Sequence, residues 1–247
     1  MVTTILLGVL ASQALTGAHS HNDYERPRPL FDALDHGFDS VEADLFLVEG
    51  KLLVGHNRKD LTPERSFEAL YLQPLAVRLK ANGGWVYRGE HHTVWVLVDI
   101  KADGADVYAE FKRVLAQFPS LSNRSHPAVR FIISGDRPIA DIVKDKGRYA
   151  ALDGRWNDLK GTYSRDLMPW VSEAWDDHFK WNGDGEMPAD QAAELKAMAQ
   201  SVHAQHRMLR FWGAADGPTM WSAQRAAGID WLNTDHPAEL QAWLTKK

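Results

Sequence analysis

Short apolar, strand-like runs recur along this sequence and alternate with segments of helical periodicity. This alternation is typical of repeated βα units, in which the strands lie parallel in one sheet and the helices pack against it. Eight strands are predicted, at residues 16–21, 39–47, 93–101, 128–134, 148–152, 170–175, 207–212 and 230–233.

The segments between these strands have the spacing of helices that bury one face. Pro63, preceded by Thr62 as a capping residue, is suited to begin a helix, and Gly37 and Gly228 are suited to end one. Residues 154–169 are polar and are interpreted as a loop. The predicted helices are residues 29–36, 63–80, 105–118, 139–146, 189–205, 217–227 and 237–244.

The length of the chain agrees with this pattern. A chain of 247 residues with 45% hydrophobic residues is able to bury a large core and has the usual size of one (β/α)8 barrel. We therefore predict a single α/β domain, residues 15–247, with the (β/α)8 (TIM) barrel fold, regular or distorted. Such barrels place their chemistry at the C-terminal ends of the strands, so polar residues there are the candidates for function.

Composition narrows the class of partner. The chain has 28 basic and 33 acidic residues, a formal charge of −5, and no basic block, which excludes a nucleic-acid backbone as the main partner. It has no cysteine, so disulfides, thiolate metal sites and a cysteine nucleophile are excluded. We expect a monomer that acts on a small-molecule or lipid substrate, with no integral membrane segment.

The N-terminus has some features of a secretory signal peptide. An apolar run over residues 5–10 is followed by small residues, with Ser12 and Ala14 placed for cleavage, although no basic residue precedes the run. Residues 1–14 are therefore a predicted signal peptide of a secreted or periplasmic protein. The alternative is a first strand or a disordered lead-in to a cytoplasmic protein. The run is too short to anchor the chain across a bilayer.

Acidic residues end two of the predicted strands. Alternation along residues 40–44 directs Glu42 and Asp44 to one face, and Asp99 and Lys101 share one face at the end of another strand. Clustered carboxylates repel one another unless a cation compensates them, so Glu42, Asp44 and Asp99 are candidate ligands of a hard divalent ion, Mg or Ca. Lys101 is a candidate point charge for a phosphate oxygen. The alternative for the strand at residues 93–101 is that Asp99 and Lys101 form an ion pair on the protein surface.

Histidines near the same strand ends are candidates for proton transfer, because an unperturbed imidazole titrates near neutral pH. His19 ends the first predicted strand and His56 follows a short excursion after the second. We predict that His19 and His56 are the general acid and base, in either order. His21 shares the face of His19 and is the alternative to it.

The order of these groups resembles a known superfamily. The sequence contains HSHNDY, SVEADLFL, LLVGHN and D-x-K at residues 99–101, and later ALYLQPL, RFWGAADGP and WLNTD. It resembles the phosphatidylinositol-phospholipase-C-like (PI-PLC-like) phosphodiesterases, the superfamily of glycerophosphodiester phosphodiesterases and sphingomyelinase D-like enzymes, and within it an uncharacterised branch with HSHNDY.

The resemblance implies a TIM barrel that binds one divalent cation, Mg or Ca, and cleaves a phosphodiester. The substrate would be a glycerophosphodiester or a phospholipid, attacked by water or by a neighbouring substrate hydroxyl, so that the enzyme acts as a hydrolase or a lyase in lipid metabolism. By the same resemblance, the metal ligands are Glu42, Asp44 and Asp99, and the acid/base pair is His19 and His56.

The sequence also departs from the superfamily. Glycerophosphodiester phosphodiesterases typically have H-R-G at the first histidine, where this chain has Ser20 in place of the arginine, and an Asp where it has Asn57. The sphingomyelinase D-like members are more similar at the first site, with a histidine followed three residues later by asparagine, as in His19 and Asn22. They also have a late tryptophan that resembles Trp212. The residues predicted to bind substrate are Lys101, His21, Asn22, Arg210, Trp212 and Asn233.

Two other functions fit parts of the pattern. His19-Ser20-His21 on the first strand, with Asp235 after the last, also fits an amidohydrolase-type metal hydrolase, but that fold needs histidines at the ends of the middle strands, and none stands there. A non-catalytic barrel that binds a lipid head group or a sugar fits the ten tryptophans. Such a binder would not need two histidines together with three carboxylates.

Overall fold

A computed structural model describes residues 13–122 and 127–246. Residues 1–12 lie outside this range, so the signal peptide stays a prediction. The strands are β1 Ala18–Ser20, β2 Ser40–Val48, β3 Lys51–Val54, β4 Val94–Ile100, β5 Val129–Gly135, β6 Ala150–Gly154, β7 Trp170–Ala174, β8 Met208–Trp212 and β9 Leu232–Thr234. The α-helices are α1 Phe31–Asp35, α2 Gln73–Ala81, α3 Gly104–Leu115, α4 Ile139–Lys144, α5 Ala189–His203, α6 Pro218–Ala227 and α7 Pro237–Leu244.

Eight of these strands are parallel and form the barrel, in the order β1-β2-β4-β5-β6-β7-β8-β9. β9 pairs with β1, and a parallel bridge between Arg210 and Trp231 joins β8 to the start of β9. The predicted TIM barrel and all eight predicted strands are confirmed. β3 was not predicted; it pairs antiparallel with β2 and lies outside the barrel order.

One predicted helix begins at a different residue in the structure, whereas the loop predicted at residues 154–169 contains no α-helix. The helix predicted from Pro63 begins later, with a π-helical turn at Glu68–Leu72 that continues into α2. Ser66 instead forms a bridge with Leu53 of β3. Between β6 and β7 the chain contains the 3₁₀ turn Trp156–Lys160 and no α-helix.

Side chains alternate between the two sides of the barrel wall. In β2 and β4, one set of residues packs outward in the main core between strands and helices, as Val41, Ala43 and Val98 do. The other set points into the barrel, because successive side chains of a strand face opposite ways. This parity directs Glu42 and Asp44 inward, as predicted.

Tryptophans fill the lower part of the barrel interior, which is the part at the N-terminal ends of the strands. Trp170 stacks on Trp95 with 5.7 Å between ring centres and packs edge-on to Trp231 at 5.1 Å. Leu97 and Ile132 complete this inner cluster. This part of the barrel interior is therefore filled with apolar side chains.

In the two ranges that the structure describes, every helix is too short or too polar to cross a bilayer.

Candidate active site

A cleft of about 480 Å³ opens at the C-terminal ends of the barrel strands. All the predicted site residues line it except His19 and Asn233. The lining consists of His21, Asn22, Glu42, Asp44, His56, Leu97, Asp99, Lys101, Ser134, Gly135, Arg155, Arg210, Trp212 and Gly213.

Three carboxylates meet on one wall of the cleft. Asp44 of β2 is in register with Asp99 of β4, and Glu42 precedes Asp44 on the same face. One carboxylate oxygen from each residue lies within 4.8 Å of the others. Oδ1 of Asp44 is buried and has no hydrogen-bond partner, as expected of a ligand atom whose partner is an ion. The residues present therefore fit a divalent cation.

A lysine ammonium lies at the edge of this cluster. Nζ of Lys101 is 2.9 Å from Oδ2 of Asp44 and 3.0 Å from Oδ2 of Asp99. Burial, together with the negative charges of Glu42 and Asp99, raises the pKa of Asp44 to about 6. Burial also raises the pKa of Asp99. Lys101 offsets part of the repulsion, and a cation would offset the rest.

Glu42 is held in place by two buried partners, Arg210 and His19. Oε2 of Glu42 lies 2.7 Å from Nη2 of Arg210 and 3.0 Å from Nε2 of His19. Burial alone would raise the pKa of Glu42, but Arg210 and His19 outweigh it and lower the pKa below its usual value. Nε of Arg210 donates to Oδ1 of Asn233, so Asn233 supports the arginine from outside the cleft lining.

His19 lies below the cleft rather than in it. Its side chain is fully buried, with Nδ1 2.7 Å from Oγ of Ser40. Burial and the charge of Arg210 lower the pKa of His19 to about 4, so the imidazole is neutral at pH 7. A neutral ring between Ser40 and Glu42 receives a hydrogen bond from the hydroxyl and donates one to the carboxylate.

His21, two residues further along, lines the cleft. Its Nδ1 lies 3.1 Å from Oδ1 of Asp235, which leaves Nε2 for a ligand. Burial lowers the pKa of His21, but the bond to Asp235 and the charge of Glu42 outweigh it, and the net pKa is above its ordinary value. The alternative to His19 named from the sequence is therefore the histidine that reaches the cleft from β1.

His56 reaches the cleft from the hairpin formed by β2 and β3. Its side chain is half exposed, and its Nδ1 lies 3.2 Å from Oη of Tyr24 and 3.3 Å from Oδ2 of Asp44. Oη of Tyr24 is also 2.7 Å from Oδ2 of Asp44 and from Oδ1 of Asn22. Burial raises the pKa of Tyr24 far above neutral, so the phenol stays a proton donor that fixes its neighbours.

The sequence analysis missed Arg155, which lines the cleft, and Tyr24, which is buried behind the cleft lining. Tyr24 was quoted in HSHNDY without a role, and Arg155 lies in the segment interpreted as a loop. Both follow a barrel strand closely, and that position was the available signal, because short loops after parallel strands form the rim of the cleft. Trp212 is 45% exposed at the same rim.

Known proteins are similar to this chain in sequence and in fold. Residues 10–128 match the family model of the AIM6-like phosphodiesterase domain. "Altered inheritance of mitochondria protein 6" of Saccharomyces cerevisiae is 27% identical over 243 residues, covering 81% of this chain. The chain spans 62% of the length of that yeast protein. The homologous protein of Arthroderma benhamiae is 27% identical, over 88% of this chain and 80% of its own.

Solved structures share the fold. A glycerophosphodiester phosphodiesterase from Parabacteroides distasonis superposes with a TM-score of 0.58 and 12% identity, covering 94% of this chain and 98% of its own. Another, from Agrobacterium tumefaciens, has a TM-score of 0.55 and 13% identity, covering 94% of this chain and 100% of its own. The shared fold and the match of residues 10–128 to the AIM6-like phosphodiesterase domain confirm the predicted resemblance to the PI-PLC-like phosphodiesterases.

Proposed function

We propose that this chain is a metal-dependent phosphodiesterase whose active site is the cleft at the top of the barrel. The observation that carries the proposal is the carboxylate cluster of Glu42, Asp44 and Asp99, within 4.8 Å of one another and next to two cleft histidines. The phosphodiesterase domain match and the fold of the glycerophosphodiester phosphodiesterases support the same class of reaction.

The cluster would hold one divalent cation, Mg or Ca. In the described part of the chain, the group of three or more possible metal ligands consists of carboxylates, which favour these hard ions over zinc. When bound, the ion supplies positive charge that neutralises the phosphate. The amidohydrolase alternative needs histidine ligands and is not supported by this set of donors.

Proton transfer is assigned to His21 and His56. Both line the cleft, and each has Nδ1 engaged, by Asp235 and by Tyr24 respectively, so that Nε2 is left for the substrate. One would take a proton from the attacking hydroxyl or water, and the other would protonate the leaving oxygen. His19, predicted as a catalytic residue, is assigned instead to orienting Glu42, because its ring is fully buried.

The remaining cleft residues would bind the substrate. Lys101 is 24% exposed beside the carboxylates and would stabilise negative charge on the phosphoryl oxygens. The exposed ring of Trp212 and the amide of Asn22 would contact the group attached to the phosphate. We propose a glycerophosphodiester or a phospholipid as the substrate, the class that the resemblance to the PI-PLC-like phosphodiesterases implies.

The test is turnover of bis(4-nitrophenyl) phosphate and of a panel of glycerophosphodiesters and lysophospholipids, before and after chelation. Activity should vanish with EDTA and return with Mg or Ca. Asp99→Asn should lose activity, whereas Asp103→Asn, an exposed carboxylate outside the cleft lining, should keep it. A wild-type protein that is inert on every diester with both ions, or equally active after chelation, would refute the proposal.

A further inference from the structure

A second polar cluster lies at the ends of β5 and β6. Asp153 is fully buried, and its Oδ2 accepts hydrogen bonds from Oγ of Ser134 at 2.7 Å and from Nη1 of Arg155 at 2.6 Å. Nη2 of Arg155 donates to Oγ of Ser134 at 3.0 Å, which closes a ring of three hydrogen bonds. The guanidinium is therefore held from below by groups of two neighbouring strands.

The backbone of Arg155 is fixed as well. Its N–H donates to Oδ2 of Asp158 at 2.8 Å, within the 3₁₀ turn that follows β6. The same carboxylate oxygen accepts a hydrogen bond from Nη1 of Arg137 at 2.9 Å. A side chain fixed at both ends loses little further entropy when it binds a ligand.

Arg155 follows β6, which lies opposite β1, the strand that His21 follows. Three strands lie between β6 and β1 in either direction around the barrel. One strand lies between β6 and β4, and one between β6 and β8. The Arg155 side chain is 32% exposed and lines the cleft. Burial lowers the pKa of Arg155, but Asp153 and, to a smaller extent, the charge of Asp99 outweigh burial and raise the pKa above its usual value.

The other two cations of the cleft, Arg210 and Lys101, form ion pairs with the carboxylate cluster of Glu42, Asp44 and Asp99. Arg210 is buried against Glu42 and Asn233, and Lys101 bridges Asp44 and Asp99. Arg155 instead pairs with Asp153, which is fully buried and does not belong to the cleft lining. Beside Lys101, Arg155 is therefore a second part-exposed cation of the cleft, and its counter-ion lies outside the carboxylate cluster.

We propose that Arg155 binds a phosphate oxyanion of the substrate from the side of the cleft opposite β1 and His21, and that Asp153 and Ser134 position it. The inference rests on the proposed function, which it deepens. A planar guanidinium with several N–H donors suits phosphate oxygens, and its charge-assisted hydrogen bonds are stronger than neutral ones.

Arg155→Lys is the main test, because it keeps a cation over Asp153 and removes the fork of donors. Binding of inorganic phosphate in the presence of Mg, measured by calorimetry, should weaken by about 10- to 100-fold, and KM for the diester should rise. Arg137→Lys is the matched control: it alters the same hydrogen-bonded network from outside the cleft lining and should bind phosphate as wild type does.

A double variant, Arg155→Met with Asp153→Asn, avoids leaving a buried charge unpaired and should show the same loss. Wild-type phosphate affinity and KM in both variants, with the wild type active on diesters, would overturn the role of Arg155 and leave the proposed function standing. Loss of phosphate binding in both variants, with a wild type inert on every diester, would support the phosphate site and refute the proposed function.

Discussion

His19 on β1 and His21 just after it differ in their depth in the barrel. His19 lies on β1 and His21 directly follows it, where the N–H of His21 still donates to O of Thr234 of β9, so the two side chains face the barrel interior. His19 packs against Trp170 of the inner cluster, with 6.2 Å between ring centres, while His21 lines the cleft above. Residues of one face thus divide into a lower set that supports the site and an upper set that meets the ligand.

Replacing each histidine by alanine should separate these roles. His21→Ala should lower kcat by about 10²- to 10⁴-fold while metal affinity stays near that of the wild type, because a proton-transfer group is lost. His19→Ala should weaken metal binding by about 10- to 100-fold, because Glu42 loses the partner that orients it. Calorimetric metal titration beside turnover distinguishes them, and the reverse pattern would return the catalytic role to His19.

Gly135 gives a second prediction at this scale. It has φ +68°, and a Cβ there would lie 2.2 Å from O of Ile100 and 2.5 Å from Oδ1 of Asp99. Gly135→Ala should therefore destabilise the fold and displace a predicted metal ligand. Gly83→Ala is the control, since Gly83 has φ +73° and open space around its Cβ position, so that only the backbone strain of about 1–2 kcal/mol applies.

Thermal unfolding with and without Mg or Ca measures both effects. We expect the melting temperature of Gly135→Ala to fall further than that of Gly83→Ala, and its rise on adding metal to be smaller than in wild type. Equal behaviour of the two variants would show that the contact with Asp99 has no role in metal binding.

Strand parity explains how much of the site could be predicted from the sequence. The convergence of Glu42, Asp44 and Asp99 follows from a two-residue period and from the common direction of parallel strands. The depth of His19 could not be predicted, because it depends on the stagger of β1 against β2 and β9. Arg155 was missed because no periodic pattern describes the loop that holds it.

At the scale of elements, the β2–β3 hairpin is what brings His56 to the cleft. Glu49 and Gly50 form a two-residue turn between Val48 and Lys51, and both have positive φ, at 49° and 74°. This is the turn geometry that matches the twist of a hairpin. β3 has only four residues, and such a short apolar run carries too little periodicity to predict a strand.

The start of the second predicted helix was wrong for a related reason. Thr62 and Pro63 satisfy the local rules for a helix start. The neighbouring backbone is used by the hairpin instead, since N–H of Val54 donates to O of Arg65 and Ser66 bridges to Leu53. A partner distant in sequence thus overrides a local capping signal.

The hairpin turn offers a prediction for stability without loss of function. Glu49→Asn should stabilise the protein by about 1 kcal/mol, because asparagine tolerates positive φ better than glutamate does. That gain corresponds to a rise in melting temperature of about 2–4 °C for a chain of this size. Gly50→Ala, where nothing lies near the added Cβ, should lower the melting temperature. Turnover should be unchanged in Glu49→Asn, since the exposed turn lies outside the cleft lining, and a fall in stability would contradict the argument.

At the scale of the whole molecule, the tryptophan cluster separates two polar ends of the barrel. The upper end holds the cleft. At the lower end, buried Asp39 accepts hydrogen bonds from the backbone N–H groups of Gly17 and Ala18, each at 2.9 Å, and lies 3.2 Å from Nε2 of His92. In TIM barrels the N-terminal end of the strands contributes to stability and the C-terminal end to catalysis.

A pH-dependent contribution to stability should therefore arise at the lower end and leave activity unaffected. The hydrogen bond to Asp39 raises the pKa of His92 in the folded protein, and the charges of Asp39 and Glu90 add to the effect. A group whose pKa is raised on folding stabilises the fold fully below its unfolded pKa of about 6.5, and this contribution is lost as the pH rises through the folded pKa.

His92→Gln removes the titrating group and keeps a hydrogen-bond donor. The difference in melting temperature between wild type and His92→Gln should be largest near about pH 6 and shrink towards about pH 9. Because His92 is part-exposed, solvent reduces the size of the effect, but its sign is fixed by the direction of the pKa shift. A difference that is constant over this range, or that grows with pH, would show that the charge of His92 does not contribute to the stability of the barrel.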